Sequence, residues 1–248
     1  MDALYDEAIE NMERTVHALE ARVPRPKRVP IGEGPEFSYR YTEKTLHQAL
    51  VQKMARIVSA LRAARLLLSN GFVQEQAAMH RMLDETEEDV SFLAYGAISG
   101  DVTDLHKKYL EYFYQEEFGD PLRPVETLMA RATVPRRKIH AYLSRIEGAP
   151  FAPGRAVDLN QTLSKTYSGY VHGASPHIMD MYGGNTPRFH MNGMRHSPLW
   201  AVHSNDFWNY VFRGICCFTF AAKAFRDEML FNELCAYLKH FEQMSGRQ

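Results

Sequence analysis

The chain has 248 residues, with 29 Lys and Arg against 30 Asp and Glu, which gives a formal net charge of −1. Hydrophobic residues make up 45% of the sequence and charged residues 24%, a globular composition that excludes a largely disordered chain. The near-neutral balance excludes a protein that coats nucleic acid with a generally basic surface. Three cysteines in this length exclude the disulfide-built scaffold of small secreted proteins.

The chain carries no pattern that predicts secretion or membrane insertion. Its first residues include acidic side chains and no apolar run, so they do not predict a signal peptide. The most apolar stretch, 207–222, is interrupted by Arg213 and is shorter than the roughly 18 residues of a membrane helix. We expect a cytoplasmic protein. The adjacent Cys216 and Cys217 favour core packing, with a thiol switch as the alternative.

Three segments are distinguished by their patterns of apolar residues and of helix breakers. Residues 1–22 have apolar side chains at helical spacing and are expected to form an N-terminal helical arm, which packs on the body or on a second subunit. Residues 23–41 contain four prolines and two glycines and are expected to form a linker. Residues 42–248 are expected to form the main helical domain.

The main domain shows the period of amphipathic helices. Apolar residues recur at three- and four-residue steps from Leu46 to Leu68 and again from Ala77 to Ala97, which predicts an antiparallel helical hairpin that turns at Asn70-Gly71. Further helices are expected over 104–118, 136–147, 158–171 and 199–244, the last divided near 226–227. No sustained alternation with a period of two occurs, so a sheet is not expected. The expected fold class is all-α, a helical bundle of six to seven helices with the N-terminal arm.

Charge is unevenly distributed along the main domain. Residues 72–120 hold twelve acidic residues and three Lys or Arg, whereas 121–147 hold six Lys or Arg and two acidic residues. One interpretation is a pair of solvated helix faces of opposite sign that touch each other. The other is a small basic patch for phosphate contact, formed by Arg131, Arg136, Arg137 and Lys138.

Most common enzyme motifs are absent. The sequence has no phosphate-binding loop, dinucleotide fingerprint, nucleophile elbow or HExxH zinc motif, so no cofactor is expected. Five histidines lie between 172 and 203, in a segment rich in Gly and Asn of the kind that carries function. Three converging histidines would suit Zn²⁺, but their spacings of 5, 13, 6 and 7 fit no zinc signature, and no metal site is assigned.

General acid–base chemistry is a second interpretation of the histidine-rich segment. His172 is expected to end a helix, with Ser168 one turn before it and Lys165 two turns before it on the same face. A histidine changes charge near neutral pH and can therefore transfer a proton. The alternative is a structural role, in which His172 satisfies carbonyl groups at the helix end.

Two parts of the sequence resemble a known family. The hairpin segments 55–61 (ARIVSAL), 66–77 (LLLSNGFVQEQA) and 80–86 (HRMLDET), followed by 165–172 (KTYSGYVH), resemble a bacterial family of HEPN-like, all-helical proteins of unknown function. The likeness covers about 42–175. It implies a homodimer in which an Arg, four to six residues and a His from each subunit form one cleft for metal-independent RNA cleavage. Lys165, six residues and His172 match that motif here, with a Lys in place of the Arg, which lacks the bidentate fork of Arg.

The resemblance implies the following function and residues. The protein would engage RNA or a nucleotide and, as an endoribonuclease, cleave RNA by attack of the 2′-OH on the adjacent phosphate. The catalytic candidates are Lys165, Ser168 and His172. The substrate-binding candidates are Tyr167, Arg188, His190, Arg136 and Arg137. The alternative is a non-catalytic helical protein-interaction module whose partner is an operon-encoded protein.

Overall fold

Helices account for most of the chain in the computed structural model, which describes residues 1–32, 34–146 and 166–247. The helices are α1 (Asp2–Glu20), α2 (Leu46–Ser69), α3 (Val73–Ser99), α4 (Asp104–Phe113), α5 (Arg136–Leu143), α6 (166–171), α7 (Ser175–Met179), α8 (Pro198–Ala224) and α9 (Glu228–Ser245). The predicted all-α helical bundle is confirmed. None of the described helices is both long and apolar enough to cross a membrane.

The α2–α3 hairpin forms the frame of the bundle. A capping box begins α2: the Thr45 hydroxyl accepts the Gln48 amide N–H at 3.2 Å, and the Gln48 side chain accepts the Thr45 N–H at 3.0 Å. The turn after α2 contains Gly71 with φ +80°, a conformation that favours glycine. The helical hairpin predicted from the sequence, with its turn at Asn70-Gly71, is therefore confirmed.

The core lies where α8 crosses the hairpin. Helix α8 packs on α2 and α3, and α1 and α9 cover its other sides, which explains why α8 is apolar on several faces. The largest fully buried side chains are Phe92, Phe207, Phe218, Phe241, Met12, Leu19, Leu50, Met54, Ile57, Leu61, Leu83 and Leu93. The predicted break between the last two helices is confirmed, because Asp227 caps α9 by accepting the Leu230 N–H at 3.1 Å.

Helix α1 belongs to this core. Its apolar face is buried against α2, α8 and α9 of the same chain, and Met12 and Leu19 are almost completely buried. The ring of Tyr5 packs edge-on against Phe207 at 5.0 Å. Of the two arrangements considered for the arm, packing on the body is therefore the one seen here.

Two short antiparallel hairpins correct the expectation that no sheet forms. The segment expected to be a linker pairs β1 (Lys27–Pro30) with β2 (Phe37–Arg40), with Arg28 opposite Tyr39. The histidine-rich segment contains α7 and pairs β3 (Tyr182–Gly183) with β4 (Arg188–Phe189). Strands of two to four residues are too short to show alternation, so the sequence pattern could not reveal them.

Two predicted helix boundaries also need correction, and a third lies outside the described residues. Helix α4 ends at Phe113 instead of 118, because 114–131 folds back through a bridge between Phe118 and Leu128. Helix α5 ends at Leu143, and its predicted end at 147 lies outside the described residues. The predicted start of the following helix at 158 also lies outside them, and only its last part, α6, is described.

Candidate functional site

The end of α6 places two of the three catalytic candidates together. The backbone N–H of His172 donates to the Ser168 carbonyl at 3.1 Å and closes the last turn of the helix. His172 is exposed and Ser168 is half-buried one turn before it. Lys165 lies outside the described residues. An exposed imidazole therefore stands at the helix end, next to a hydroxyl side chain.

Two tyrosines fix the position of α6. The hydroxyl of Tyr167, a substrate-binding candidate, donates to Asp206 of α8 at 2.8 Å, and burial raises the pKa of Tyr167. The hydroxyl of Tyr170 donates to Asp180 at 3.1 Å, and burial raises the pKa of Tyr170 to about 12. Both hydroxyls therefore stay neutral donors at physiological pH. Tyr167 is buried and anchors α6 on α8, away from the solvent.

The chain after α6 packs closely against that helix. The ring of His177 lies 4.4 Å from the Tyr170 ring, and its Nε2 lies 3.3 Å from the Thr166 carbonyl oxygen. Gly169 leaves the space that this ring occupies, because a Cβ at Gly169 would overlap the imidazole of His177. His177 therefore has a structural position against α6.

The histidine-rich segment is also fastened to the α2–α3 turn. The Met194 N–H donates to the Gly71 carbonyl at 2.7 Å, and the Trp200 indole N–H donates to the Leu68 carbonyl at 2.8 Å. The Gln74 side chain donates to the His177 carbonyl. The first two of these bonds use carbonyl groups in the last turn of α2 and in the turn that follows it. The segment is thus held at several points along its length.

The β3–β4 hairpin presents aromatic rings and a cation at the surface. The rings of Tyr182 and Phe189 pack edge-on at 5.0 Å, and their side chains are 46% and 41% exposed. Arg188, a substrate-binding candidate, pairs with Gly183 in the register, next to the Tyr182–Phe189 pair, and is exposed. His190, another candidate, is half-buried, with Nε2 3.0 Å from the Gly183 carbonyl oxygen.

The basic patch lies elsewhere in the bundle. The Arg136 guanidinium lies 2.7 Å from Asp89 and donates to the Glu85 carbonyl at 3.0 Å, so it is engaged with α3, whereas Arg137 is exposed. Glu85 is eleven residues beyond Gln74, which corresponds to about 16 Å along α3. The structure therefore does not bring Arg136 to the end of α6. These contacts agree with the interpretation that the acidic and basic segments form helix faces of opposite sign that touch each other.

A buried polar layer between α3 and α8 was missed by the sequence analysis. Arg213 lies 2.7 Å from Asp84 and 3.0 Å from Glu87. Burial raises the pKa of the Asp84 carboxyl and raises the pKa of Glu87 to about 8. The sequence feature that could have indicated this layer is Arg213, the lone arginine in the apolar stretch of α8. A buried arginine needs a carboxylate partner.

Two buried histidines extend this polar layer toward α6. The His80 ring stacks on Tyr210 at 3.9 Å and meets the Tyr167 ring edge-on at 5.5 Å. Burial lowers the pKa of His80 and of His203, so both are neutral at physiological pH. The histidines of the 172–203 segment therefore have different environments: His203 is buried, and His172 and His196 are exposed. Within the described residues, no three His, Cys, Asp or Glu side chains are grouped to hold a metal ion.

Comparisons of the chain with models of protein families, with curated proteins and with solved structures gave no match.

Proposed function

We propose that this protein binds single-stranded RNA on the α6–hairpin surface, formed by Ser168, His172, Tyr182, Arg188 and Phe189. The observation that carries the proposal is the exposed ring pair of Tyr182 and Phe189 in a hairpin whose neighbouring pair contains the exposed Arg188. Unpaired bases stack on aromatic rings, and arginine binds phosphate through its fork of N–H donors. The combination suits RNA whose bases are not already paired.

A hydrogen bond links the two parts of this surface. The hydrogen bond from Tyr170 to Asp180 ties the last turn of α6 to the chain two residues before β3. His172 follows Tyr170 by two residues, so His172 and the hairpin both extend from this junction. We propose that a strand stacked on the hairpin rings continues along this surface past the imidazole.

We further propose that the bound RNA is cleaved without a metal ion, as the resemblance to HEPN-like proteins implies. The exposed His172 takes the proton of a 2′-OH, and the resulting alkoxide attacks the adjacent phosphate. The bond from phosphorus to the 5′-oxygen breaks as the new bond to the 2′-oxygen forms, and the 5′-oxygen takes the proton back from the His172 imidazolium. The products are a 2′,3′-cyclic phosphate and a free 5′-OH. Lys165 is assigned the role of stabilising the negative charge that develops on the phosphate.

Binding and cleavage of a labelled single-stranded RNA in EDTA test the proposal. Tyr182→Ala and Phe189→Ala are each expected to weaken binding about tenfold, since stacking on a ring contributes about 1–3 kcal/mol per base. His172→Ala is expected to bind RNA and not to cleave it. His196→Ala is the matched control, because His196 is exposed in the same segment, and it should behave as wild type.

A DNA strand of the same sequence separates binding from cleavage, because it lacks the 2′-OH nucleophile. It should bind and remain intact. Absence of RNA binding by the wild type would overturn the binding proposal. Cleavage that persists undiminished in His172→Ala would overturn the catalytic assignment and leave binding intact.

A second candidate function is a protein-interaction surface, either with a second copy of the chain or with another protein. Exposed apolar side chains concentrate around α6, the hairpin and the start of α8, at Val171, Ile178, Met179, Met191 and Val202. Such patches on a protein surface mark interaction sites. Met191 is 77% exposed, and Met191→Glu should dissociate a homodimer in analytical ultracentrifugation. A wild type that is monomeric and does not change in that variant would contradict a homodimer through this patch.

A further inference from the structure

A cavity of about 380 Å³ opens between α3, α4 and α5, beside Asp89 and apart from the α6–hairpin surface. Its volume lies in the range of small-molecule sites, which are about 300–1,000 Å³. The wall combines aromatic rings with cations: Tyr109, Tyr112, Phe113, Lys53, Arg131 and Arg136. A site with these two kinds of group recognises a molecule that has a ring and a negative charge.

The charged groups on the floor of the cavity are already paired with one another and held in place. Asp89 is buried and accepts hydrogen bonds from Lys53 and from Arg136, each at 2.7 Å. Lys53 also lies 5.1 Å from the centre of the Phe113 ring, where a cation interacts with the ring face. Asp89 thus engages both cations of the floor, so these groups define the shape of the cavity more than its affinity for a charge.

The rim carries a cation that can change partners. Arg131 lies 3.1 Å from Glu117, and the two side chains are 43% and 58% exposed. Exposed ion pairs of this kind contribute little to stability, so a carboxylate in the cavity can replace Glu117 on Arg131. In this exchange Arg131 keeps one carboxylate partner.

We propose that this cavity binds a small aromatic carboxylate. Its ring packs against Tyr112 and Phe113, and its carboxylate pairs with Arg131 through two parallel N–H···O hydrogen bonds. A phosphate dianion fits less well, because it would bring a second negative charge near Glu85 and Asp89. The inference does not depend on RNA binding, since none of these residues belongs to the α6–hairpin surface.

Calorimetric titration of the full chain with 2-naphthoate tests the proposal. The amide naphthalene-2-carboxamide has the same ring system and no charge, and it should bind at least tenfold more weakly. Acetate, which has the charge and no ring, should show no binding over the same concentration range. AMP supplies a ring and a phosphate, and it should bind more weakly than 2-naphthoate.

Two arginine variants locate the site. Arg131→Ala should lower the affinity for 2-naphthoate at least tenfold. Arg123→Ala is the matched control, because Arg123 is also exposed and paired, 3.0 Å from Asp120, but does not line the cavity. Its affinity should equal that of the wild type, and circular dichroism confirms that both variants fold.

The contrary outcomes are equally specific. No heat of binding with 2-naphthoate, or equal affinity for the carboxamide, would overturn a carboxylate site. Tighter binding of AMP would assign the cavity to a phosphate ligand and overturn the proposed class. Unchanged affinity in Arg131→Ala would place the binding of 2-naphthoate elsewhere on the protein.

Discussion

The guanidinium of Arg213 lies 3.0 Å from the buried carboxylate of Glu87, yet neither Glu87 oxygen has an aligned hydrogen bond within the part of the chain that the structure describes. Arg213 donates instead to Asp84 at 2.7 Å. Two buried carboxyl groups therefore share one cation. It costs less free energy for one of them to be protonated than for both to be charged. Burial raises the pKa of Glu87 to about 8, which identifies it as the protonated member at neutral pH.

The free energy of unfolding should therefore depend on pH through Glu87. Between the ordinary pKa of 4.5 and about 8, the folded state holds a proton that the unfolded state has released. Linkage then makes the contribution of Glu87 to stability fall as the pH rises through this window. Across this pH window, we expect the contribution of Glu87 to the free energy of unfolding to fall by about 2–5 kcal/mol. Glu87→Gln should flatten the slope, as measured by urea unfolding from about pH 5 to about pH 8.

Glu75→Gln supplies the comparison for that experiment. Glu75 lies on the same helix but is exposed in its first turn, so its replacement should leave the pH slope as in the wild type. An equally steep slope in Glu87→Gln would show that the proton resides on another group.

The bond between Tyr167 and Asp206 should contribute measurably to stability. Tyr167→Phe keeps the ring contact with His80 and removes only the hydroxyl that donates to Asp206. Because the acceptor is a half-buried carboxylate, we expect a loss of about 1–2 kcal/mol in the free energy of unfolding. Tyr170→Phe removes the bond to the exposed Asp180 and should lose less. Equal losses would contradict the assignment of Tyr167 as the principal anchor of α6.

The long helices could be predicted from the sequence because the patterns that indicate them are local. Apolar spacing marked α2 and α3, Asn70-Gly71 marked the turn between them, and Asp227 marked the start of α9. The short hairpins gave no such signal. Strands of two residues in β3–β4 depend on the chain around them, which no local pattern records.

The polar layer could not be predicted because its partners are far apart in the chain. Asp84 and Glu87 lie in a strongly acidic segment and therefore resemble solvated residues when the sequence alone is considered. Their burial follows from Arg213, which is 129 residues beyond Asp84 and meets it only when α8 packs on α3. The same limit hid the cavity beside Asp89, whose walls come from four separate helices, α2, α3, α4 and α5.

Gly169 should resist replacement by alanine although it lies in a helix. Helix propensity alone predicts that Gly169→Ala stabilises the protein by about 0.5–1 kcal/mol. The added Cβ would overlap the His177 ring, so we expect a loss of about 1–3 kcal/mol and weaker RNA binding. Gly183→Ala is the control, because no atom lies within 4 Å of its added Cβ. A stabilised Gly169→Ala variant would show that His177 does not pack on α6 in solution.

Helix α1 should unfold together with the bundle and not as a separate arm. Met12 is 1% exposed, and its sulfur lies close to Gly214 of α8, where a Cβ would be only 3.2 Å away. Met12→Ala removes this buried contact and should lower the free energy of unfolding of the whole chain by about 2–5 kcal/mol in a single transition. Glu10→Ala, on the exposed face of the same helix, should change it by less than about 0.5 kcal/mol. If Met12→Ala left the main urea transition unchanged, α1 would be an independent arm, and the fully buried face of α8 would need another partner in solution.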